Sequence, residues 1–179
     1  MADVSNQVFS EPHPTVVVIG YGNPQRGDDA IGQTVVSHLQ ALNIPAVEAY
    51  SATQLTPELS SKLAVADCAI FVDACKLASA DVRVKPLTAC GSEPSGSVVP
   101  ASGHSCDPCS LLALTSSVYG RCPQSWWVEV PASDFTVGNA LSALAERGVA
   151  QALQEIEKLI TAIAQTQAPQ HSSVISRPM

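Results

Sequence analysis

One stretch constrains the fold of this chain more than any other: Gly20-Tyr-Gly-Asn-Pro-Gln-Arg-Gly-Asp-Asp-Ala-Ile-Gly32. The apolar run Val16-Val-Val-Ile19 precedes it, and Val35, Val36, Leu39 and Leu42 follow at helical spacing. The order is strand, tight glycine turn, helix. The strand does not alternate, which is the pattern of burial on both faces. In open α/β sheets, chemistry gathers in the crevice at the carboxyl ends of the strands. Asp28 and Asp29 fall at such an end. Two adjacent acids repel a phosphate and suit a metal ion or a proton.

The rest of the chain repeats the alternation of strand and helix. The first helix is expected from about Asp28 to Leu42, and a second strand from Pro45 to Tyr50. Thr56, Pro57 and Glu58 have the chemistry of a helix start, with an end near Ala66. Cys68-Ala-Ile-Phe-Val-Asp73 reads as a buried strand with an acid at its carboxyl end. Residues Asp81 to Leu87 alternate and read as a half-exposed strand. No helix separates that strand from the one before, so it is expected to be antiparallel. Ala89 to Ser105 is rich in Gly, Ser and Pro and reads as a long loop with His104 near its end. A helix through Leu111, Leu112, Leu114, Thr115 and Val118 follows, then the strand Ser125-Trp-Trp-Val-Glu-Val130. Trp126 and Trp127 are expected to pack on opposite faces of it. Ser142 is a candidate N-cap for a long amphipathic helix through Leu144, Val149, Leu153, Ile156, Ile160 and Ile163, with Gly148 as its weak point. This order predicts an α/β layer fold with a mostly parallel sheet. The expected divisions are a loose segment 1–14, one α/β domain 15–165 and a disordered tail 166–179.

Composition excludes several functions. The chain of 179 residues suits one domain, and with 46% apolar and only 14% charged residues most of it must be packed. A net charge of −7 argues against nucleic acid or an anionic membrane as partner, because both attract basic surfaces. No apolar run reaches the roughly 18 residues of a membrane span. The first residues lack a basic start and a long apolar stretch, so a cytoplasmic protein without signal peptide is expected. Cysteine occurs at 68, 75, 90, 106, 109 and 122; in that setting reduced thiols are expected rather than disulfides.

Several chemistries compete for the same residues. Gly20-x-Gly22 is part of a dinucleotide fingerprint, with Glu48 near the place of a ribose-binding acid. Asp28 and Asp29 would sit against the pyrophosphate there, which disfavours that reading. The two acids are also at home at a helix start. Asp73 can be a lone strand-end acid, and His104 a surface histidine. Taken together, Asp29, Asp73 and His104 offer two oxygens and one nitrogen to a divalent ion such as nickel or zinc, with positions left open for substrate. Cys106-x-x-Cys109 has zinc spacing, with Cys90 or Cys122 as further ligands, but no second pair accompanies it. A catalytic cysteine served by His104 is a further alternative.

The combination of Gly20-x-Gly-Asn23, Asp28-Asp29-x-x-Gly32, the strand end Phe71-Val-Asp73 and Gly103-His104 resembles the nickel–iron hydrogenase maturation endopeptidases. The resemblance covers roughly Thr15 to Ile163. It implies a three-layer sandwich: a twisted, mostly parallel sheet of about five strands with helices on both faces. It implies an enzyme that removes a C-terminal extension from the hydrogenase large-subunit precursor once nickel has been inserted. The metal-contacting and catalytic positions of the family fall on Asp29, Asp73 and His104. No permanently bound cofactor is implied; nickel arrives with the precursor, and zinc or cadmium are ions that the same site would accept. The implied partner is that precursor, and the implied state is a cytoplasmic monomer. Many members carry Asp-Gly-Gly-Thr after the second strand, where this chain has Ser51-Ala-Thr-Gln54. The segment Gln54-Leu-Thr-Pro-Glu-Leu59 resembles instead the subgroup that serves the bidirectional, NAD(P)-linked hydrogenase. A non-catalytic nickel- or zinc-binding maturation chaperone of the same fold is the alternative reading.

Overall fold

The computed structural model describes residues 15–76, 79–88 and 107–167. Five strands form one sheet: β1 (Val16–Tyr21), β2 (Val47–Ala52), β3 (Cys68–Cys75), β4 (Arg83–Leu87) and β5 (Gln124–Pro131). Four helices join them: α1 (Ile31–Leu42), α2 (Ser60–Val65), α3 (Pro108–Tyr119) and α4 (Ala143–Gln167). The strand order is β2-β1-β3-β5-β4. All pairs are parallel except β4 with β5. The antiparallel edge strand is therefore the one that the missing helix predicts.

Two apolar clusters cover the two faces. Val16, Val18, Ile70, Val72 and Val128 meet α1 and α4 through Val35, Leu39, Val149 and Ile156. Val17, Ile19, Ala69 and Phe71 meet α2 and α3 through Leu63, Leu111 and Leu112. This is the three-layer sandwich. β1 and β3 are buried on both faces because helices lie on both, which is why neither alternates in sequence. Trp126 packs against the first cluster and Trp127 against the second.

Element ends depart from expectation at several places, each with a local cause. The first helix begins as a 3-10 turn, Gly27–Ala30, before α1 takes over at Ile31. β2 starts two residues late because Asn43 and Ala46 take positive φ and the Val47 N–H turns back to the Ile44 carbonyl. Thr56 does not cap through its side chain; Pro57–Leu59 form a 3-10 turn and α2 spans only Ser60–Val65. β3 continues past Asp73 to Cys75, and α4 runs to Gln167. The loop expected over 89–105 and its His104 lie outside the described residues.

Ser142 caps α4, its Oγ accepting from Ala145 N at 3.1 Å. Gly148 inside α4 has a packing reason: a Cβ there would lie 2.6 Å from Val130 Cγ1. Closer still is the contact under the glycine turn. Gly22 has φ of +138°, and a Cβ on it would sit 2.0 Å from the Asp29 carbonyl oxygen. Gly22→Val is therefore expected to lower stability by about 3 kcal/mol, combining strained backbone with a backbone clash. Thermal melting of the purified variant checks this; a midpoint equal to the parent's would contradict it.

Candidate active site

β1 sends its chain to β2 on one side through α1, while β3 lies on its other side. The crevice between the carboxyl ends of β1 and β3 is thus the topological switch point, where α/β sheets open to a ligand. Asp29 follows β1, and Asp73 stands near the end of β3. The structure brings these two of the three expected residues together: the charge of Asp29 acts on Asp73. His104 is outside the described residues. Asp107 caps α3 through Ser110 N at 3.0 Å, and its charge reaches Tyr21 beside Asp73.

The paired acids have different duties. Asp28 is fully buried. Its Oδ2 accepts from the N–H of Ser133 at 2.7 Å, the N–H of Asp134 at 2.9 Å and the Ser142 hydroxyl at 2.8 Å. Its Oδ1 accepts from Ser142 N at 2.7 Å. Its own N–H donates to the Asp134 carbonyl at 2.7 Å. Burial alone would push its carboxyl up, but these donors outweigh it and hold the group below the usual carboxylate range. Asp28 is thus a clamp joining the start of α1 to the start of α4, with its acceptor sites taken by donors. Asp29 is half-buried and its Oδ2 accepts from Asn23 N at 3.0 Å, which holds the carboxylate against the turn. The Asn side chain of the glycine stretch has its own duty, its Oδ1 accepting from Gln25 N at 2.9 Å.

Asp73 sits in a more apolar place. Burial pushes its carboxyl up to about 6; the negative charges of Asp29 and Glu129 act the same way, against hydrogen bonds from the Tyr21 hydroxyl and the Ala74 N–H. Tyr21 in turn is pushed well above the ordinary phenol value, first by burial and then by Asp73. The Cys75 thiol is raised to about 11 by burial and by the charges of Glu129 and Asp73. A thiol so protonated is a poor nucleophile, which argues against cysteine chemistry at this place.

Tyr21, Cys75 and Glu129 were not legible as site residues. Tyr21 stands one past the expected strand end, yet it is two on from Ile19 and so shares its face. Glu129 is opposite Asp73 in the β3–β5 register, and cross-strand partners share a face. The only sequence signal was an acid inside an apolar strand. Among the described residues no group of three metal-capable side chains occurs, so a metal centre here would need a ligand from elsewhere. No disulfide occurs among them. Cys109 lies in the first turn of α3. A cavity lined by Cys68, Gln124, Trp126, Leu159 and Ile163 lies at the amino ends of β3 and β5, away from this chemistry.

No protein-family model and no curated protein matches the chain. Solved structures do. The hydrogenase maturating endopeptidase HybD from E. coli is similar at 22% identity with a TM-score of 0.64, over 83% of this chain and 93% of that one. The [NiFe] hydrogenase maturation protease HycI from Thermococcus kodakarensis KOD1 is similar at 22% identity and a TM-score of 0.61, over 86% and 94%. A hydrogenase 2 maturation peptidase from Thaumarchaeota archaeon SCGC_AB-539-E09 gives 22% and 0.60, over 82% and 97%. The chain has the fold of the hydrogenase maturation endopeptidases. Its carboxylates Asp29 and Asp73 stand at the switch point of that fold.

Proposed function

We propose that this chain is an endopeptidase that removes the C-terminal extension of a nickel–iron hydrogenase large-subunit precursor after nickel insertion. The observation that carries this reading is the pair Asp29 and Asp73 at the switch point of a fold shared with maturation endopeptidases. The two carboxylates differ in environment, which suits them to different roles. Asp29 is fixed by Asn23 N–H. Asp73 holds its proton to about pH 6, within reach of proton exchange with water at neutral pH. Nickel belongs to the substrate: the precursor's thiolates hold it, and Asp29, Asp73 and His104 fill the positions that remain. The metal then places the scissile bond beside a carboxylate able to take a proton from water.

The precursor is the partner, and the protease is a cytoplasmic monomer carrying no resident metal. The segment Gln54–Leu59 supports a hydrogenase of the bidirectional, NAD(P)-linked kind as the target. Its Leu55 is buried against the α2–α3 side, and Thr56 to Leu59 form the turn into α2.

The test is the mass of the precursor after incubation. Nickel-loaded precursor is expected to lose its C-terminal extension, and precursor prepared without nickel under chelation to stay intact at high enzyme concentration. Asp29→Asn and His104→Ala are each expected to leave the precursor uncut with unchanged circular dichroism. Cleavage of nickel-free precursor would leave a plain carboxylate protease. No cleavage by the parent would leave a binding role only.

A further inference from the structure

The row of side chains across the carboxyl end of the sheet has a charged end that peptide cleavage does not use. Asp73 on β3 is opposite Glu129 on β5, and Glu129 is opposite Arg83 on β4. Glu129 is only 4% exposed. Lys85 Nζ lies 3.0 Å from its Oε1 and 2.8 Å from its Oε2, and Arg83 Nη2 lies 3.1 Å from its Oε2. Two cations share one carboxylate, so one positive charge is left over. Both cations are about half exposed, at 50% and 46%. In a chain of net charge −7 this local excess runs against the average.

Stability does not account for the arrangement. Burying a carboxylate is costly, and half-exposed cations repay it poorly. An apolar side chain at 129 would hold β4 to β5 at least as well. What the buried carboxylate does achieve is to fix two flexible cations at the mouth of the site before a partner arrives.

Building on the peptidase reading, we propose that Arg83 and Lys85 bind an Asp or Glu side chain of the polypeptide substrate while the scissile bond lies over Asp29 and Asp73. The substrate then runs across the strand ends from β3 towards β4. Neighbouring strands are about 4.8 Å apart, so two steps span roughly 10 Å. An extended chain advances about 3.3 Å per residue, which places the acidic residue about three positions from the scissile bond.

Arg83→Gln and Lys85→Gln, made singly, each remove the surplus charge and leave Glu129 one partner, so the fold is kept. With nickel-loaded precursor, each is expected to raise KM roughly fivefold, the loss falling on KM rather than kcat. Added salt is expected to raise KM of the parent more steeply than that of either variant. A second measurement is independent of cleavage. Fluorescence anisotropy compares a labelled extended octapeptide bearing one Asp with the same peptide bearing Asn, and the parent is expected to bind the Asp peptide severalfold tighter, a preference that both variants lose. A parent that binds both peptides alike, or variants whose KM and salt dependence match the parent's, overturn the proposal. A parent that prefers the Asp peptide but cuts no precursor overturns the peptidase reading and keeps the acidic-peptide site.

Discussion

Asp73→Asn is expected to abolish precursor processing and, in the same protein, to raise thermal stability at neutral pH. The two effects have one cause. The crevice between β1 and β3 withholds water from the Asp73 carboxylate, and the charges of Asp29 and Glu129 add to the penalty. The folded value of about 6 lies above the roughly 3.9 of an unfolded aspartate. Between those values the native state binds more protons than the unfolded one, so stability falls as pH rises. The full cost is present above the folded value, and none of it below the unfolded one. Asn keeps the shape and an oxygen for the Tyr21 hydroxyl but carries no charge. The metal-free variant should thus be more stable than the parent by ~2 kcal/mol at pH 7.5, with the difference closing towards pH 4. Chemical denaturation at several pH values measures this. A variant no more stable at pH 7.5 than at pH 4, relative to the parent, would show that the crevice does not penalise the charge.

Asp28→Ala is expected to have the opposite effect, a loss of about 4 kcal/mol. Three partly buried N–H or O–H donors would lose Oδ2 and the Ser142 N–H would lose Oδ1. Donors shielded from water and left without a partner cost more than the net gain of an ordinary hydrogen bond. Asp28→Asn should recover only part of the loss, because one amide nitrogen must then face an N–H donor. The pH dependence is reversed too. The folded carboxyl lies below the usual range, so its contribution is complete above the unfolded value and is lost as pH falls through the folded one. Far-UV circular dichroism with denaturant titration would reveal it; an Ala variant within about 1 kcal/mol of the parent would mean that loop 132–142 does not depend on this carboxylate.

These opposite expectations for Asp28 and Asp73 show where sequence reading stops. The adjacent pair Asp28-Asp29 looks alike in sequence. In the fold, one residue turns inward to gather four hydrogen bonds from a segment more than 100 positions away. The other is half-buried and held by the Asn23 N–H six positions before it. No local rule separates them, because the donors that decide it come from the loop after β5.

Much else was written locally. The apolar runs of β1 and β3 without alternation require helices on both faces, and the 3.6-residue period of α1 and α4 supplies them. The glycine stretch announces its own turn, since φ of +138° at Gly22 and the close approach of the Asp29 carbonyl leave no room for a side chain. The missing helix before Arg83–Leu87 is enough to make β4 antiparallel. Strand register is different. It aligned Tyr21 and Asp73 at neighbouring strand ends and set Asp73, Glu129 and Arg83 in one row, and it depends on how four distant segments slide past one another. By itself the sequence determined the layers, the turn and the presence of acids after β1 and at the end of β3, because period and glycine sterics act over a few residues. Only the tertiary structure decided which carboxylate is a clamp, which is pushed up to about 6 and which is paired with cations, because burial and charge at a strand end are properties of the neighbours the sheet brings there.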